Sequence, residues 1–530
     1  MQHNGFGPRC RRPFVKRSAD RKQRRPGWLG PALTLCVLGW IGPSSPRAEP
    51  APALLSPCRL PGAETELLCG TLRRPLSPED AAHPQDPSAR HIDIHFAVLP
   101  AIARNRRPDP VFFFAGGPGQ SALRVVGPVG SLLKRLQNRR DIVFIDQRGT
   151  GRSAPLDCPQ LPASTSLRES LQNSRYGPYL AQCFSDLQKL PHGDLRKYTT
   201  TLAMQDADAV RQALGASQVN VVGGSYGTRA ALEYMRQFPS RVRRMIIDGV
   251  APPDMRLPEV LGADAHAAFS TWLRACEQDA NCAARFPAAE SAFQALLASL
   301  PKEITVTHPH TGQPERLMLQ PEHLAGLVRG PLYAPWLAAA LPLALAYAAE
   351  GRFEALFGLG SALDSNEILR LSLGMHFAVI CAEDLPETPL PVAATPALQG
   401  LAKDFADRFA QQYREICAHV PRGSVPAAFY TMPPAPAPTL VFSGGLDPVT
   451  PARHGQRVAE ALGEKARHIV VPNAGHGVLA LPCIPDVLHR FVDAESDAQA
   501  QRVDAACAAH IPRPPLYRGI AAEPLREVRP

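Results

Sequence analysis

The sequence of 530 residues has no internal repeat and no second long apolar run after the one near its N-terminus. These absences, together with 45% hydrophobic and 20% charged residues, exclude a coiled coil and a protein that crosses a membrane several times. Proline and glycine, with 56 and 39 residues, are too few for a collagen-like or disordered chain. The composition instead predicts a globular protein that is long enough to bury a large core.

The sequence also lacks the motifs that hold metals and nucleotides. No spacing of cysteine and histidine is typical of a zinc site. The segment Gly116-Gly-Pro-Gly119 has the spacing of neither a phosphate-binding loop nor a dinucleotide-binding fingerprint. We therefore predict no metal and no cofactor.

Basic residues are not in excess over most of the chain, although the net charge is +9. Ten of the 57 Lys and Arg residues, and one of the 48 acidic residues, lie within the first 48 positions, and the rest is balanced. A balanced body gives no reason to expect a nucleic-acid partner.

The basic excess belongs to a predicted signal peptide over residues 1–48. Basic residues up to Arg25 precede a mostly apolar run from Trp28 to Gly42, and small residues and prolines follow. This order predicts export to the periplasm or out of the cell, with cleavage near Ala48; an uncleaved membrane anchor is the alternative. Arg11-Arg12 resembles a twin-arginine motif, so the twin-arginine and general secretory routes both stay open.

Ten of the 12 cysteines follow the leader, and they form neighbouring pairs along the chain. In an exported protein this pattern predicts disulfide bonds, and buried free thiols are the alternative. Pairing of neighbours gives the bonds Cys58–Cys69, Cys158–Cys183, Cys276–Cys282, Cys381–Cys417 and Cys483–Cys507.

Short apolar runs bounded by Gly, Pro or Asp alternate with helical segments, which predicts a mostly parallel, doubly wound α/β sheet. The runs predicted as strands are 91–99, 111–114, 142–145, 219–222, 245–247, 440–442 and 468–471. The helical segments between them are 131–139, 202–214 and 229–237.

From residue 251 to residue 435, segments rich in Ala and Leu replace this alternation, and we predict helices over 265–276, 288–300, 334–350 and 397–417. We interpret residues 251–435 as a helical cap inserted into one α/β core, whose two parts span 49–250 and 436–511. Residues 512–530 are predicted to form an irregular tail.

The segment Gly223-Gly-Ser-Tyr-Gly227 lies between an apolar strand and a helix, which is the setting of a nucleophile elbow. The tight turn exposes the serine, and the N-terminus of the following helix favours the negative charge that develops there. Ser225 is therefore the predicted nucleophile, and a plain glycine turn is the alternative.

Two segments are predicted to supply backbone N–H groups to an oxyanion. The glycine-rich loop after the strand at 111–114 supplies one of them, and because Pro118 has no N–H the donor is Gly117 or Gly116, of which we select Gly117. Tyr226, directly after Ser225, supplies the other. A tight turn without chemistry is the alternative for the glycine-rich loop.

An acid and a histidine follow Ser225 in the order that α/β-hydrolases share. Asp447 comes just after the strand at 440–442, and His476 lies in a loop beside Gly475 and Gly477 after the next strand. His476 would take the proton of Ser225 and pass it to the leaving group, while Asp447 would orient the imidazole.

Five motifs occur in one order: Ala115-Gly-Gly-Pro-Gly-Gln120, Asp146-Gln-Arg-Gly-Thr-Gly-Arg-Ser153, Gly223-Gly-Ser-Tyr-Gly-Thr228, Gly445-Leu-Asp-Pro-Val-Thr-Pro451 and Gly475-His-Gly477. Over residues 55–510 they resemble the tripeptidyl aminopeptidase and proline iminopeptidase family of α/β-hydrolases. The resemblance implies a serine peptidase that removes residues from peptide N-termini, with a helical cap over the site. It also implies that the Asp146 segment braces the oxyanion loop, with Arg148 or Arg152 in buried ion pairs. Ala115 replaces the His that proline iminopeptidases have there, which fits the tripeptidyl branch better.

An aminopeptidase must hold a protonated N-terminus, and this requires an acid that faces the site. Acids of the cap have this role in related aminopeptidases. Glu383 and Asp384, at the end of an apolar run within the predicted cap, are the candidates here. Solvated loop acids are the alternative.

The predicted function is an exported serine exopeptidase that releases tripeptides, or single residues such as Pro, from small peptides through an acyl-enzyme. The alternative with the same chemistry is a carboxylesterase. The alternative outside enzymes is a catalytically inactive binding protein on the same fold.

Overall fold

The computed structural model describes residues 54–83, 85–159, 165–171, 173–287, 289–362, 370–386 and 400–517. They all belong to one unit that spans Ala53–Pro530. The predicted signal peptide with its cleavage near Ala48 lies outside the described residues, as do residues 518–530 of the predicted tail. Residues 512–517 form neither helix nor strand.

Eleven strands are present in the described residues. Nine of them form one sheet: β1 (Leu55–Cys58), β2 (Leu67–Pro75), β3 (His91–Leu99), β4 (Val111–Phe114), β5 (Ile142–Ile145), β6 (Val219–Gly224), β7 (Val242–Asp248), β10 (Thr439–Gly444) and β11 (Ala466–Val471). The other two, β8 (Lys302–Thr307) and β9 (Pro314–Leu319), pair as a separate antiparallel hairpin.

The strand order in the large sheet is β1-β2-β3-β5-β4-β6-β7-β10-β11. The six strands from β5 to β11 in this order are parallel, and β1, β2 and β3 form an antiparallel edge. Strands β4 and β5 consist only of buried apolar residues, as expected of parallel strands that are covered on both faces. This arrangement confirms the predicted α/β fold.

Helices cover the sheet and form most of the segment between β7 and β10. The helices are α1 (Pro78–Ala82), α2 (Val126–Leu132), α3 (Lys134–Gln137), α4 (Leu167–Leu171), α5 (Asn173–Leu187), α6 (Thr200–Ala213), α7 (Tyr226–Gln237), α8 (Leu257–Glu277), α9 (Ala280–Arg285), α10 (Ala289–Ala298), α11 (Pro321–Leu332), α12 (Pro335–Ala338), α13 (Leu341–Ala349), α14 (Glu354–Gly360), α15 (Leu373–Val379), α16 (Gly400–Cys417), α17 (Ala452–Leu462), α18 (Ile484–Asp493) and α19 (Asp497–Gln501). A π-helical turn over Ile380–Asp384 continues α15.

Two helices that the sequence predicts as continuous are each divided into two. The predicted helix over 131–139 is divided into α2 and α3 at Leu133, whose ψ of 11° is not helical. The predicted helix over 334–350 is divided into α12 and α13, and Pro342 lies in the first turn of α13. Proline fits that first turn but would break the interior of a longer helix, which explains the second division.

Separate apolar clusters fill the two faces of the sheet and the segment between β7 and β10. The clusters on the faces include Phe114 and Phe144 respectively, and the third packs α8, α10, α11, α13 and α14 against the β8–β9 hairpin around residues such as Trp272. Met375, Phe377 and Cys381, on α15 and its π-helical turn, belong instead to the first of the two sheet clusters. The end of α15 is therefore held against the sheet, beside the strand ends that carry the predicted site.

All five predicted disulfide bonds are present, and each joins two cysteines that are neighbours along the chain. They are Cys58–Cys69, Cys158–Cys183, Cys276–Cys282, Cys381–Cys417 and Cys483–Cys507. Among the helices of the described residues, none has both the length and the apolar character that a membrane span needs.

Candidate active site

Ser225 lies in a strained turn between β6 and α7. Its φ of +55° falls in a region that residues other than glycine rarely adopt. The glycines on both sides make room for the turn: a Cβ on Gly223 would lie 2.2 Å from the carbonyl oxygen of Gly227, and a Cβ on Gly227 would lie 2.1 Å from that of Phe114. The close packing of the two glycines and the strain at the serine are those of a nucleophile elbow.

Asp447 and His476 are paired as the sequence predicts. His476 Nδ1 lies 2.8 Å from Asp447 Oδ2, and Thr450 Oγ1 donates a hydrogen bond of 2.8 Å to the same oxygen. Oδ1 of Asp447 accepts hydrogen bonds of 2.9 Å from the backbone N–H groups of Val449 and Thr450. Because Nδ1 is directed at a carboxylate, Nε2 is the nitrogen that can exchange a proton with a serine.

The environment of this pair favours the charged form of both groups. Burial by itself would raise the pKa of Asp447, but His476 and the hydrogen bonds around the carboxylate bring that pKa below its ordinary value. Burial by itself would lower the pKa of His476, but Asp447 raises it above the ordinary value. Asp447 therefore stabilises an imidazolium at His476, which a general base needs when it accepts a proton.

Two further residues that the sequence analysis missed hold the loop of His476. The backbone N–H of His476 donates a hydrogen bond of 2.9 Å to the carbonyl oxygen of Tyr333, whose ring lies edge-on to the imidazole at 5.3 Å. Asp248 Oδ2 accepts hydrogen bonds from the N–H groups of Val478 at 2.7 Å and Leu479 at 3.1 Å. Asp248 stands at the end of β7, and that position directly after an apolar run was the signal that could have identified it.

The candidate oxyanion donors lie beside Ser225. The N–H of Gly116 is occupied, since it donates a 3.0 Å hydrogen bond to Gln120 Oε1, which leaves Gly117 as the candidate in this loop. Gly117 has a φ of +109°, where a Cβ would lie 2.6 Å from the backbone nitrogen of Gly119. Tyr226 is the first residue of α7, so its N–H belongs to a helix N-terminus.

One cavity of about 1330 Å³ brings these residues together. Gly117, Ser225, Tyr226 and His476 all line it, while Asp447 lies behind His476 and is fully buried. The candidate nucleophile, proton acceptor and oxyanion donors therefore line one space, whose volume exceeds the roughly 300–1,000 Å³ of sites for small molecules.

Glu383, Asp384 and Arg229 form a buried group that we call the acid cluster. Arg229 Nη1 lies 2.5 Å from Asp384 Oδ1 and 3.5 Å from Glu383 Oε2. Asp384 and Arg229 line the cavity, whereas Glu383 is not among its lining residues. The structure thus places one of the two predicted acids at the cavity wall and the other behind it.

Glu383 contacts the nucleophile turn through a threonine. Its two oxygens accept hydrogen bonds from Thr200 N at 2.7 Å and Thr200 Oγ1 at 2.9 Å, and Thr200 Oγ1 lies 2.7 Å from the hydroxyl of Tyr226. Burial raises the pKa of Glu383 to about 7, although Arg229 and Thr200 act in the opposite direction. The charge of the acid cluster therefore changes near neutral pH.

The Asp146 segment supports the loop that follows Gly117. Asp146 Oδ1 accepts hydrogen bonds from Ser121 Oγ at 2.6 Å and from the N–H of Leu123 at 3.1 Å. Arg148 forms a buried ion pair with Asp206, at 2.7 Å between Nε and Oδ2. Within the described ranges, no group of three or more His, Cys, Asp or Glu side chains is arranged to hold a metal ion.

Comparison with known proteins gives matches over most of the chain. Residues 109–285 match the family model of the α/β-hydrolase fold, and residues 402–507 match that of TAP-like proteins. The serine protease Hip1 of Mycobacterium tuberculosis is 26% identical over 474 residues, which cover 81% of this chain and 88% of that protein. The tripeptidyl aminopeptidase of Streptomyces coelicolor is 34% identical over 166 residues, 28% of this chain and 30% of that protein. The proline iminopeptidase of Aeromonas sobria is 26% identical over 192 residues, 36% of this chain and 38% of that protein.

The matched ranges are those that carry the site. The first includes Gly117, Ser225 and Tyr226, and the second includes Asp447 and His476. The chain thus belongs to the α/β-hydrolase family of enzymes, alongside the tripeptidyl aminopeptidases and the proline iminopeptidases.

Proposed function

We propose that this enzyme is an exported serine aminopeptidase that releases N-terminal tripeptides, or single residues such as Pro, from short peptides. One observation carries the proposal: a cavity that holds Ser225 and His476 also has a wall formed by Asp384 and Arg229 of the acid cluster. The names of the relatives, a serine protease, a tripeptidyl aminopeptidase and a proline iminopeptidase, agree with this activity.

In the acylation step, Ser225 Oγ attacks the scissile carbonyl carbon while His476 Nε2 takes the hydroxyl proton. The N–H groups of Gly117 and Tyr226 stabilise the oxyanion of the tetrahedral intermediate. When the intermediate breaks down, His476 gives the proton to the leaving nitrogen, the C–N bond breaks and the acyl group remains on Ser225.

In the deacylation step, the same groups act on water. His476 takes a proton from a water molecule, and the resulting hydroxide attacks the acyl carbon. The oxyanion forms again at Gly117 and Tyr226, and its collapse returns the proton to Ser225 Oγ and frees the acid. Asp447 keeps the imidazole in one orientation throughout and stabilises its charged form.

The acid cluster supplies the binding energy that separates an aminopeptidase from an esterase. With both carboxyl groups ionised, it contains two negative charges and one positive charge, so it can accept one more cation. A substrate ammonium group bound at Asp384 would neutralise the remaining negative charge. The link from Glu383 through Thr200 to Tyr226 keeps the acid cluster at a fixed distance from the nucleophile turn.

The proposal of export rests on two observations. The first 48 residues have the order of a signal peptide, and all ten cysteines after them are paired as disulfides. Disulfides persist in oxidising compartments, such as the periplasm or the exterior of the cell.

Turnover of a matched substrate panel by the mature protein tests the proposed activity. The panel contains Pro-, Ala- and Ala-Ala-Pro-arylamides with free N-termini, their N-acetylated counterparts and p-nitrophenyl acetate. We expect cleavage of the free-amine arylamides, at least about tenfold less of the acetylated ones, and labelling of Ser225 by a fluorophosphonate.

The other outcomes select the alternatives. Ester hydrolysis without turnover of any free-amine arylamide would identify a carboxylesterase. Failure of Ser225 to react with the fluorophosphonate in a folded protein would identify an inactive binding protein. The released fragment distinguishes tripeptidyl from single-residue specificity.

A further inference from the structure

Arg329 of α11 brings a positive charge to the wall of the catalytic cavity. Its Nη1 donates a hydrogen bond of 3.2 Å to the hydroxyl of Tyr333, and its guanidinium lies 5.6 Å from the centre of that ring. Its Nε is buried and has no hydrogen-bond partner. The side chain is thus held in place by an aromatic ring, with donor capacity left over.

No carboxylate in the described part of the chain pairs with Arg329. Arg316 and Arg408 differ in this respect, because Arg316 pairs with Glu303 and Arg408 pairs with Glu322. Asp384 is the one acidic residue among the described residues that line the cavity, and its side chain is buried and already engaged by Arg229 and by the N–H of Leu257. A half-buried guanidinium without a counter-ion favours an anion from outside the chain.

The contacts of Arg329 indicate on which side of the scissile bond it lies. Tyr333 contacts Arg329 with its hydroxyl and ring, and it contacts His476 with its ring and its carbonyl oxygen. Under the proposed function, His476 gives a proton to the leaving nitrogen, so the part of the substrate that leaves lies on this side. The acid cluster contacts the site elsewhere, through Thr200 and Tyr226.

We propose that Arg329 binds a carboxylate carried by the leaving part of the substrate. This inference rests on the proposed aminopeptidase function and makes it more specific. The substrate would be a short peptide with an ammonium group for the acid cluster and a carboxylate for Arg329. A guanidinium suits this role because its N–H groups bind both oxygens of a carboxylate at once.

Peptides that differ only in the carboxylate test this inference. The first pairs are Ala-Ala-Pro-Ala and Pro-Ala, each with a free C-terminus and as the C-terminal amide. A fifth peptide, Ala-Ala-Pro-Glu amide, carries its carboxylate on the side chain instead. Release of the N-terminal fragment gives kcat/KM for each, and we expect a preference of about tenfold for the free acid over its amide.

Two variants assign the preference to a residue. Arg329→Gln should reduce the ratio of kcat/KM for a free acid to kcat/KM for its amide from about ten to about one. Arg316→Gln, a matched change at an arginine that pairs with Glu303, should keep the preference. If Arg329→Gln does not fold, the comparison of free acid and amide with the wild-type enzyme still shows whether the enzyme prefers a substrate with a carboxylate.

Each outcome has one meaning. Equal turnover of free acids and amides by the wild-type enzyme, or a preference that persists in Arg329→Gln, would overturn the inference and leave the aminopeptidase in place. Fast turnover of the Glu-containing amide would support the inference and assign the carboxylate to the side chain after the scissile bond. Failure to cleave any of these peptides by an enzyme that still reacts with fluorophosphonate would overturn the proposed function itself.

Discussion

Two regions beside the cavity each bury a carboxylate next to a basic side chain, but the basic side chains differ. At the ends of β10 and β11, Asp447 pairs with His476, whose imidazole can take up and release a proton. At the end of α15, Asp384 pairs with Arg229, which keeps its proton at any such pH. The first pairing can therefore move a proton, whereas the second can only hold a charge in place.

The carboxylates themselves respond differently to burial. Asp447 has four hydrogen-bond donors around it, one of which is His476, and they bring its pKa below the ordinary value despite burial. Glu383 has two donors from Thr200 and a more distant guanidinium at 3.5 Å, and burial raises its pKa to about 7. The difference in the number of donors thus accompanies opposite shifts of the pKa, which is lowered at Asp447 and raised at Glu383.

The largest effect is expected from removal of Ser225, the proposed nucleophile. Ser225→Ala should lower kcat for peptides and for esters by a factor of about 10⁴–10⁶, because no acyl-enzyme can form. Binding of a free-amine peptide, measured by calorimetry, should change by less than about threefold because the acid cluster is intact. Residual peptide turnover above about 1% of the wild-type value would contradict the assignment of Ser225.

The second largest effect is expected from removal of a disulfide bond that supports the acid cluster. The disulfide Cys381–Cys417 joins the π-helical turn that carries Glu383 to α16, and it closes a loop with a sequence separation of 36. Replacing both cysteines by Ser should reduce the free energy of unfolding by about 3–4 kcal/mol in the chain-entropy model. Equilibrium unfolding in urea measures this loss of stability.

A shorter bridge is the matched control. Cys276–Cys282 closes a loop with a separation of 6, so the same replacement there should cost about 1–2 kcal/mol less. In the variant without Cys381–Cys417, KM for peptides should rise more than KM for p-nitrophenyl acetate. Equal losses of stability and equal changes of KM in the two double variants would contradict the special support of the acid cluster.

The third prediction tests whether Asp384 binds the substrate ammonium group without taking part in proton transfer. Asp384→Asn should lower kcat/KM of free-amine arylamides by about 10- to 100-fold, since the substrate ammonium loses its nearest carboxylate. Acetylated arylamides and esters should change by less than about threefold. Asp254→Asn is the control, because Asp254 also pairs with an arginine, Arg457, but does not line the cavity. Equal losses for amine and acetylated substrates would assign Asp384 to the framework alone.

The smallest expected effect is a pH dependence that only one region should show. As the pH falls below about 7, Glu383 gains a proton and the acid cluster loses a negative charge, so KM for a free-amine arylamide should rise. Protonation of His476 affects ester and arylamide alike, so it cancels in the ratio of their kcat/KM values. This ratio should shift several-fold toward the ester between pH 7 and pH 5.5, a range in which the substrate amine stays protonated, and Glu383→Gln should remove the shift. A constant ratio in the wild-type enzyme would contradict the prediction.

The sequence predicted the central strands of the sheet better than its edge strands. The runs at 111–114 and 142–145 coincide with β4 and β5, because an uninterrupted apolar run fits a strand buried on both faces. The edge strands β1 and β2 were missed, since their exposed sides carry polar residues such as Arg73 and the apolar pattern is incomplete. Ser225, Asp447 and His476 could be proposed from local motifs because each lies just after a strand.

The residues around the cavity outside those motifs were harder to predict. The hairpin β8–β9 was missed although Ile304 and Val306 alternate with exposed residues, because helical segments surround it. Arg229 lies one helical turn after Ser225, but its role depends on acids more than 150 positions away along the chain. Asp248 and Tyr333 likewise act through contacts between distant segments, which no local pattern contains.

The disulfide bonds have a consequence for the order in which the protein is made. Their sequence separations range from 6 to 36, and no bond encloses or crosses another. In a chain that emerges from its N-terminus, the partner of each cysteine therefore follows within 36 residues and before the next pair. The bonds can close one after another from the first segment to the last, and no half-made chain has to keep a reactive thiol waiting for a distant one.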